Sequence, residues 1–515
     1  MKRAVAFGKP IPAPSHGWPA CGAALRMIAR LKATVMDELY IRVKGDGEIC
    51  VPAGPSMTSY ILIEQEDWFE KEIAFVRRLL EPGMRAIDIG ANYGTYTLAM
   101  AQAVGSAGRV WAYEPAGATA RYLRATIARN RLANVEMIQA ALSDRAGTGR
   151  LRLDAQAELN RLAVDGDGEE VLLTTLDAEC RSRAWDRIQF IKIDAEGGEG
   201  DIIRGGENFF AEHSPLVMFE CRGADGENAG VQSAFRARGY APFRLIGPDT
   251  SLVAVGSDES LDGFELNLFA CKPDRAESLS AAGLLTTSAG IFDAPRGLGL
   301  ALWHRQDFAA SFADAKNAGE APYQRAFDAY AVWRDLARPL PERWGALRAA
   351  AHILQSLTAD TQNLAILSTG ARVVHEAGMR KLSTDLLDRM LGLMRKGPPK
   401  LNEPFWPAAV RYDAMRPGVG RDIWFLAATL EAYEERHAFS SHFARLDTLG
   451  GLDWLATTPY ASPAMERRRQ LMAIRAGRQN ERQASPLLSK ASPGHLNPHL
   501  WGGAPEPAPS LSHLR

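Results

Sequence analysis

Long apolar runs are missing from this chain. No window approaches the ~18 consecutive apolar residues that a membrane-spanning helix needs, so no transmembrane segment is expected. Cysteine is scarce: Cys21, Cys50, Cys180, Cys221 and Cys271 are scattered, odd in number and form no C-x-x-C pair. That pattern argues against a disulfide framework and a zinc site and suits a reducing compartment. An excess of one charge is missing too. Lys and Arg number 60 against 61 Asp and Glu, a formal net charge of −1, and no basic block or stripe stands out. Nothing therefore asks for a nucleic-acid partner. The amino-terminal MKRAVAFGKPIPAP starts basic, but its prolines and second lysine break the apolar run too early for a signal peptide. A cytoplasmic protein is expected.

At 515 residues the chain is too long for one ordinary core. Its organisation is clearest over residues 84–115, MRAIDIGANYGTYTLAMAQAVGSAGRVWAYEP. An apolar run ends at a glycine loop, Gly90-Ala91-Asn92-Tyr93-Gly94, and a helix pattern follows from Thr95 to Val104. A second apolar run ends in Glu114-Pro115. This is a βαβ unit of a doubly wound sheet. The G-x-G-x-x-G of a dinucleotide site is absent, which argues against a nicotinamide oxidoreductase. Asp88, two residues before the first glycine, would repel a pyrophosphate but suits a ligand with a sulfonium and an ammonium group. S-adenosylmethionine fits that description and is the expected cofactor. Gly90 and Gly94 allow close backbone approach, Thr95 opens the helix, and Glu114 is placed for both ribose hydroxyls. Ser143 and Asp144 follow the third strand, Val135 to Leu142, on the adenine side of such a cleft.

Before this unit, Cys21 to Leu31 reads as a short helix, Leu39 to Val51 as two strands turning at Lys44–Gly47, and Asp67 to Leu80 as an amphipathic helix. After it, residues 145–177 read as a small β excursion. The fourth strand, Ile188 onward, carries Lys192, Asp194 and Glu196 at alternate positions. In an extended chain all three leave one face, and a buried strand bears such charges only if they pair or bind something. Asp194 or Glu196 is the candidate base and Lys192 the group that holds it. No histidine lies near them in sequence, and no metal is assigned. Leu216 to Cys221 is the fifth strand, with Glu220 at the cleft edge. Phe243 to Ile246 and Glu265 to Lys272 are the sixth and seventh, the last an interior antiparallel strand.

Asp88-Ile89-Gly90-Ala91-Asn92-Tyr93-Gly94, Tyr113-Glu114-Pro115, Leu176-Asp177 and Phe190 through Glu199 together resemble the FkbM methyltransferases, in the family's order and over about residues 64–272. Ala195 and Gly198 stand where valine and alanine are more usual. The resemblance implies a class I methyltransferase: an α/β, Rossmann-like, seven-stranded doubly wound sheet. It also implies S-adenosylmethionine as cofactor, a hydroxyl on a small molecule or glycan as acceptor, and Asp88, Gly90, Asn92, Gly94 and Glu114 along the cofactor. Asp194 would face the reactive end.

The expected domains are an amino-terminal extension over 1–60, the methyltransferase over 61–273, a linker over 274–300, an α-helical domain over 301–476 and a disordered tail over 477–515. Within the helical part, Asn363 to Glu376 and Arg380 to Met394 resemble a tetratricopeptide-type pair, without a clean period. A helical bundle is the plain reading of this half. A docking surface for an acceptor or partner protein is the sharper one. The alternative to an active enzyme is a catalytically weak scaffold on a cofactor fold, with the helical half binding a partner protein.

Overall fold

A computed structural model describes residues 38–54, 56–154, 160–163, 168–223, 226–227, 229–256, 260–288, 290–315, 321–478 and 485–502. The expected helix at Cys21–Leu31 lies outside them.

Seventeen strands are described. β1 (Glu38–Val43) and β2 (Gly47–Pro52) form the expected antiparallel hairpin. The main sheet uses β3 (Arg85–Ile89), β4 (Arg109–Tyr113) and β5 (Val135–Ile138). A small sheet follows, from β6 (Ala141–Leu142), β7 (Gly147–Arg152), β8 (Arg161–Ala163) and β9 (Glu169–Thr174). β10 (Phe190–Ile193) and β11 (Leu216–Glu220) return to the main sheet, and β12 (Arg222–Gly223) and β13 (Gly226–Glu227) pair with each other. β14 (Ala241–Ile246), β15 (Ser251–Ala254), β16 (Asn267–Cys271) and β17 (Leu285–Thr286) complete the main sheet.

Its order is β17-β15-β14-β16-β11-β10-β3-β4-β5. β3, β4, β5, β10 and β11 run parallel, and β16 inserts antiparallel between β11 and β14. The seven strands β5 to β14 in that order form the doubly wound class I methyltransferase sheet, with β15 and β17 added at one edge. β16 is interior and antiparallel, as read from the sequence, and its five residues are all buried.

The period of two in the strands divides the core into two layers. Ile87, Ile89, Ile191, Ile193, Val217 and Phe219 face Ile202, Phe209, Phe210 and Phe235 on one side. Ala86, Phe190, Leu216, Met218 and Phe269 face Phe75, Val76, Ala99 and Met100 on the other. Helix Glu72–Leu79, shorter than the expected 67–80, and helix Thr95–Val104 supply that second face.

Two expected boundaries are corrected. The Ala- and Ser-rich stretch 274–300 is not a free linker. It contains most of helix Pro273–Ala281, started by a proline at its first turn, and then β17, which pairs with β15. Residues 485–502 are not a disordered tail. The Asn497 side-chain amide accepts from Arg42 N–H through Oδ1 at 2.8 Å and donates to Arg42 O through Nδ2 at 2.9 Å, satisfying the edge of β1. Leu496 and Asn497 also donate their backbone N–H groups to the buried Glu66 carboxylate, at 2.6 and 3.0 Å.

The helical half packs on the β14–β15 edge of the sheet. Ile246 and Val253 belong to the same core as Trp333, Trp344, Leu354 and Val374. Gly247 N–H donates to Glu376 O at 3.0 Å. A β-carbon on Gly247 would lie 2.4 Å from the Trp333 ring, so its φ of +69° and its missing side chain let the two halves close. The expected hairpin is present as Leu364–Glu376, capped by Asn363, and Arg380–Met394. Neighbouring helices of 14, 19, 13, 15 and 17 residues follow no fixed repeat, which fits a bundle better than an array. Trp303, Trp333, Trp406 and Trp424 are fully buried in it. Among the described residues no helix is long and apolar enough to cross a membrane. Among the described residues Cys50, Cys180, Cys221 and Cys271 take part in no disulfide.

Candidate functional site

A cleft of about 240 Å³ opens at the carboxyl ends of β3, β4, β10 and β11, where parallel α/β sheets place ligands. Of the residues expected to hold a cofactor, Asp88, Gly90, Asn92, Thr95 and Glu114 line it; Lys192, Asp194, Glu196 and Glu220 line it from the other side.

The glycine loop is built by close packing. Gly90 has φ +74°, and a β-carbon there would sit 1.8 Å from the Asp194 carbonyl oxygen. Gly90 and Ala91 both donate N–H groups to Tyr113 O, at 3.1 and 3.0 Å, which pins the turn to β4. Gly94 does not touch the cleft. At φ +94° it starts helix Thr95–Val104, and a β-carbon would meet Leu123 at 2.7 Å.

Asp88 is fully buried and directly opposite Lys192 in the β3–β10 register. Its Oδ2 accepts from Thr97 Oγ1 at 2.6 Å, while Oδ1 has no hydrogen-bond partner and lies 4.0 Å from Lys192 Nζ. Burial, only partly offset by Lys192 and Thr97, raises its pKa. Asn92 Oδ1 is a second acceptor without a partner beside the same cleft. Two free buried acceptors are what a ligand ammonium would satisfy. Glu114 accepts from Asn92 N–H at 3.0 Å and Ala116 N–H at 2.9 Å, one on each oxygen. Each oxygen keeps a lone pair for a vicinal diol. Burial pushes Glu114 up to about 7. Beyond it the wall is mainly apolar, with Ala140, Ala141, Leu142, Leu151 and Leu162 beside Asn160. This is a slot for a flat base. Ser143 and Asp144 do not line it. Ser143 donates its N–H to Thr174 O, and Asp144 turns to Arg145 and Arg204. The chain crosses to the small sheet before reaching them. Acidic loop ends, glycine turn and apolar slot together fit S-adenosylmethionine.

At the other side Lys192 Nζ donates to Asp194 Oδ2 at 2.8 Å and lies 5.1 Å from the centre of the Tyr96 ring. Burial alone would lower this lysine's pKa, but the Asp194 and Asp88 carboxylates hold it raised. The expectation that Lys192, Asp194 and Glu196 share one face of a strand is corrected. β10 stops at Ile193, and the chain turns through Glu196 (φ +48°) and Gly197 (φ +98°). Glu199 fastens this turn, accepting from Ala195 and Gly197 N–H groups at 3.0 and 3.3 Å. The turn carries Glu196 toward Glu220. The carboxylates of Asp194, Glu196 and Glu220 lie within 4.8 Å of one another, an arrangement that could hold a cation, although the sequence assigned no metal here. Burial, then the charges of Asp194 and Glu196, push Glu220 up to about 9.

Two further groups went unnoticed in the sequence. Glu70 accepts from Tyr96 Oη at 2.6 Å, and Asn267 lines the cleft beside Glu220. Burial raises the pKa of Glu70. Both Glu70 and Asn267 come from segments outside the glycine motifs, and only the position of Asn267 at the end of an interior strand hinted at a role.

Residues 88–242 match the family model described as the methyltransferase FkbM domain. No curated protein matches the chain. Among solved structures it is similar to an S-adenosylmethionine-dependent O-methyltransferase from Thermotoga maritima, at 15% identity over 46% of this chain and 92% of that one, with a TM-score of 0.24. It is likewise similar to Aeropyrum pernix fibrillarin in complex with natively bound S-adenosyl-L-methionine, at 14% identity over 46% and 84%, with a TM-score of 0.24.

Proposed function

We propose that this chain, an S-adenosylmethionine-dependent methyltransferase carrying an FkbM methyltransferase domain over residues 88–242, transfers the methyl group to a hydroxyl of a saccharide or related acceptor. When bound, the cofactor supplies an electrophilic methyl carbon on a sulfonium whose departure leaves a neutral thioether. The residues that would hold it are Asp88 and Asn92 through their free acceptors, Gly90 through its open backbone, and Glu114 through its two carboxylate oxygens.

The observation that carries the hydroxyl reading is Asp194. Its carboxylate faces the cleft at the end of β10, and Lys192 fixes one of its oxygens at 2.8 Å. An alcohol is a poor nucleophile, and a positioned carboxylate that takes its proton typically contributes about 10²–10⁴-fold. The acceptor oxygen gains a bond to carbon, its proton passes to Asp194, and positioning supplies much of the rest. Glu220, pushed up to about 9, keeps its proton at neutral pH. Lys192 lowers the repulsion that Asp194 would otherwise meet from Asp88.

The test is transfer of labelled methyl from S-adenosylmethionine to a panel of sugars, glycosides and polyols, with wild type and Asp194→Asn. Transfer to a hydroxyl that falls about 10²-fold or more in the variant, with cofactor affinity within about threefold, supports the reading. Full turnover by the variant would remove Asp194 from the role of base, and transfer only to amines or carbon would remove the hydroxyl.

A further inference from the structure

A second cavity, of about 490 Å³, lies between the loops of the methyltransferase sheet and the helical half. Phe69, Glu70 and Leu266 line both it and the cofactor cleft, so the two spaces meet at those residues. Glu70, which accepts from Tyr96 in the cofactor cleft, thus sits at the mouth of a chamber that the helical half completes.

The chamber has two unlike walls. Lys71, Glu72, Asp262 and Glu265 come from the methyltransferase side, and the helices bring His375, Arg380 and Arg436 together with Glu376 and Glu435. Arg380 is held between the rings of Phe264 and Phe439, 4.5 and 4.3 Å from their centres. Its Nε donates to Arg436 O at 2.8 Å and its Nη2 to Glu435 O at 3.1 Å. Arg436 is only 3% exposed and donates to Ala371 O, Ser383 Oγ and Ala408 O, while its Nε has no hydrogen-bond partner. These bonds go to neutral oxygens, and a buried guanidinium normally takes a carboxylate. Burial, then Arg468 and Arg436, push Arg380 down to about 10, although the Asp262 and Glu435 carboxylates pull the other way. Burial also lowers Arg436 to about 10. Burial, with Arg436, Arg380 and Lys71 beside it, drives His375 well below its ordinary value. Asp262, Glu376 and Glu435 line the same corner, and burial, then the charge of Glu431, pushes Glu435 up to about 7, which weakens its hold on the two guanidiniums. The opposite wall is milder than its composition suggests, because burial pushes Glu72 up to about 8, which leaves it protonated and able to share hydrogen bonds with hydroxyls.

We propose that this chamber is the acceptor site, and that it takes a hydroxylated molecule bearing one anionic group, a carboxylate or a phosphate. The anion meets Arg380 and Arg436, the aromatic pair Phe264 and Phe439 flanks it, and the reacting hydroxyl reaches Glu70 and Asp194 at the junction with the cofactor cleft. The helical half is then the acceptor-selecting part of the enzyme. This inference rests on methyl transfer occurring in the first cleft.

The test uses the full chain saturated with S-adenosylhomocysteine and titrated calorimetrically with glucuronate, glucose 6-phosphate and glucose. At least one anionic sugar should bind tenfold or more tightly than glucose, and which one does so tells carboxylate from phosphate. R380Q should bring that preference within threefold of unity without changing S-adenosylhomocysteine affinity, and R380K should keep part of it. Equal binding of all three sugars to the wild type overturns the proposal whether or not a variant folds, as does a preference undiminished in a folded R380Q. Failure of S-adenosylhomocysteine to bind would count against the methyl-transfer reading instead, and titration of the free protein with the same sugars would then decide the anion site by itself.

Discussion

The carbonyl oxygen of Asp194 stands where a β-carbon on Gly90 would have to go, 1.8 Å away. The loop that would take the methyl donor and the loop that carries the candidate base are therefore packed backbone to backbone. Asp194 N–H donates to Ile89 O at 3.2 Å and locks them further. Gly90→Ala should disturb both loops at once, through the clash and through its φ of +74°. The expected outcome is a loss of about 2 kcal/mol or more in stability together with loss of S-adenosylhomocysteine binding. Chemical denaturation and titration of the same preparation measure both; an unaltered affinity would show that the loops move independently.

Glu114 gives the cofactor site a pH dependence. Its pKa in the folded chain is raised from 4.5 to about 7 by burial. A raised carboxyl pKa means that the fold favours the protonated form. The associated stability is full below the ordinary carboxylate range and is lost as pH rises through about 7. A ligand diol donates hydrogen bonds and so favours the ionised form. Affinity for S-adenosylhomocysteine should accordingly rise about tenfold between pH 6 and pH 8. Glu114→Gln should bind more weakly with a flat profile. A profile in the variant as steep as in wild type would assign the titration to another group.

The helical half has its own buried linchpin. Arg372, 1% exposed, makes paired bonds to Asp413 at 2.6 and 2.7 Å and donates to Tyr330 Oη at 2.6 Å. Arg372→Met would leave Asp413 with Arg334 alone and Glu376 without its arginine. Because the loss strands buried carboxylates, it should cost about 3 kcal/mol. A measured change within about 0.5 kcal/mol in denaturant would mean that the network relaxes onto Arg334.

Much of the cofactor side was legible in the sequence because it is local. Apolar strands ending in Asp88-Ile89-Gly90 and Tyr113-Glu114 place their side chains by strand period alone. Glu196 was misplaced because the strand period was carried past Ile193 into a turn with two positive-φ residues. Glu70 was invisible because its partner, Tyr96, lies 26 residues on in the glycine-loop helix. The 485–502 segment reads as polar, Pro- and Ser-containing tail, and only its contacts with Glu66 and Arg42, more than 400 residues earlier, order it. Composition also mistook the edge for a linker, since two-residue β17 carries no period to detect.

The most direct measurement is calorimetric titration of the full chain with S-adenosylhomocysteine beside NADH, using wild type and Asp88→Asn. The variant keeps a partner for Thr97 but removes the charge opposite Lys192. S-adenosylhomocysteine should bind, NADH should not, and Asp88→Asn should weaken the first by about tenfold or more, the loss of one charge-assisted hydrogen bond. Binding of NADH in its place, or an affinity for S-adenosylhomocysteine indifferent to Asp88, would contradict the methyl-donor reading.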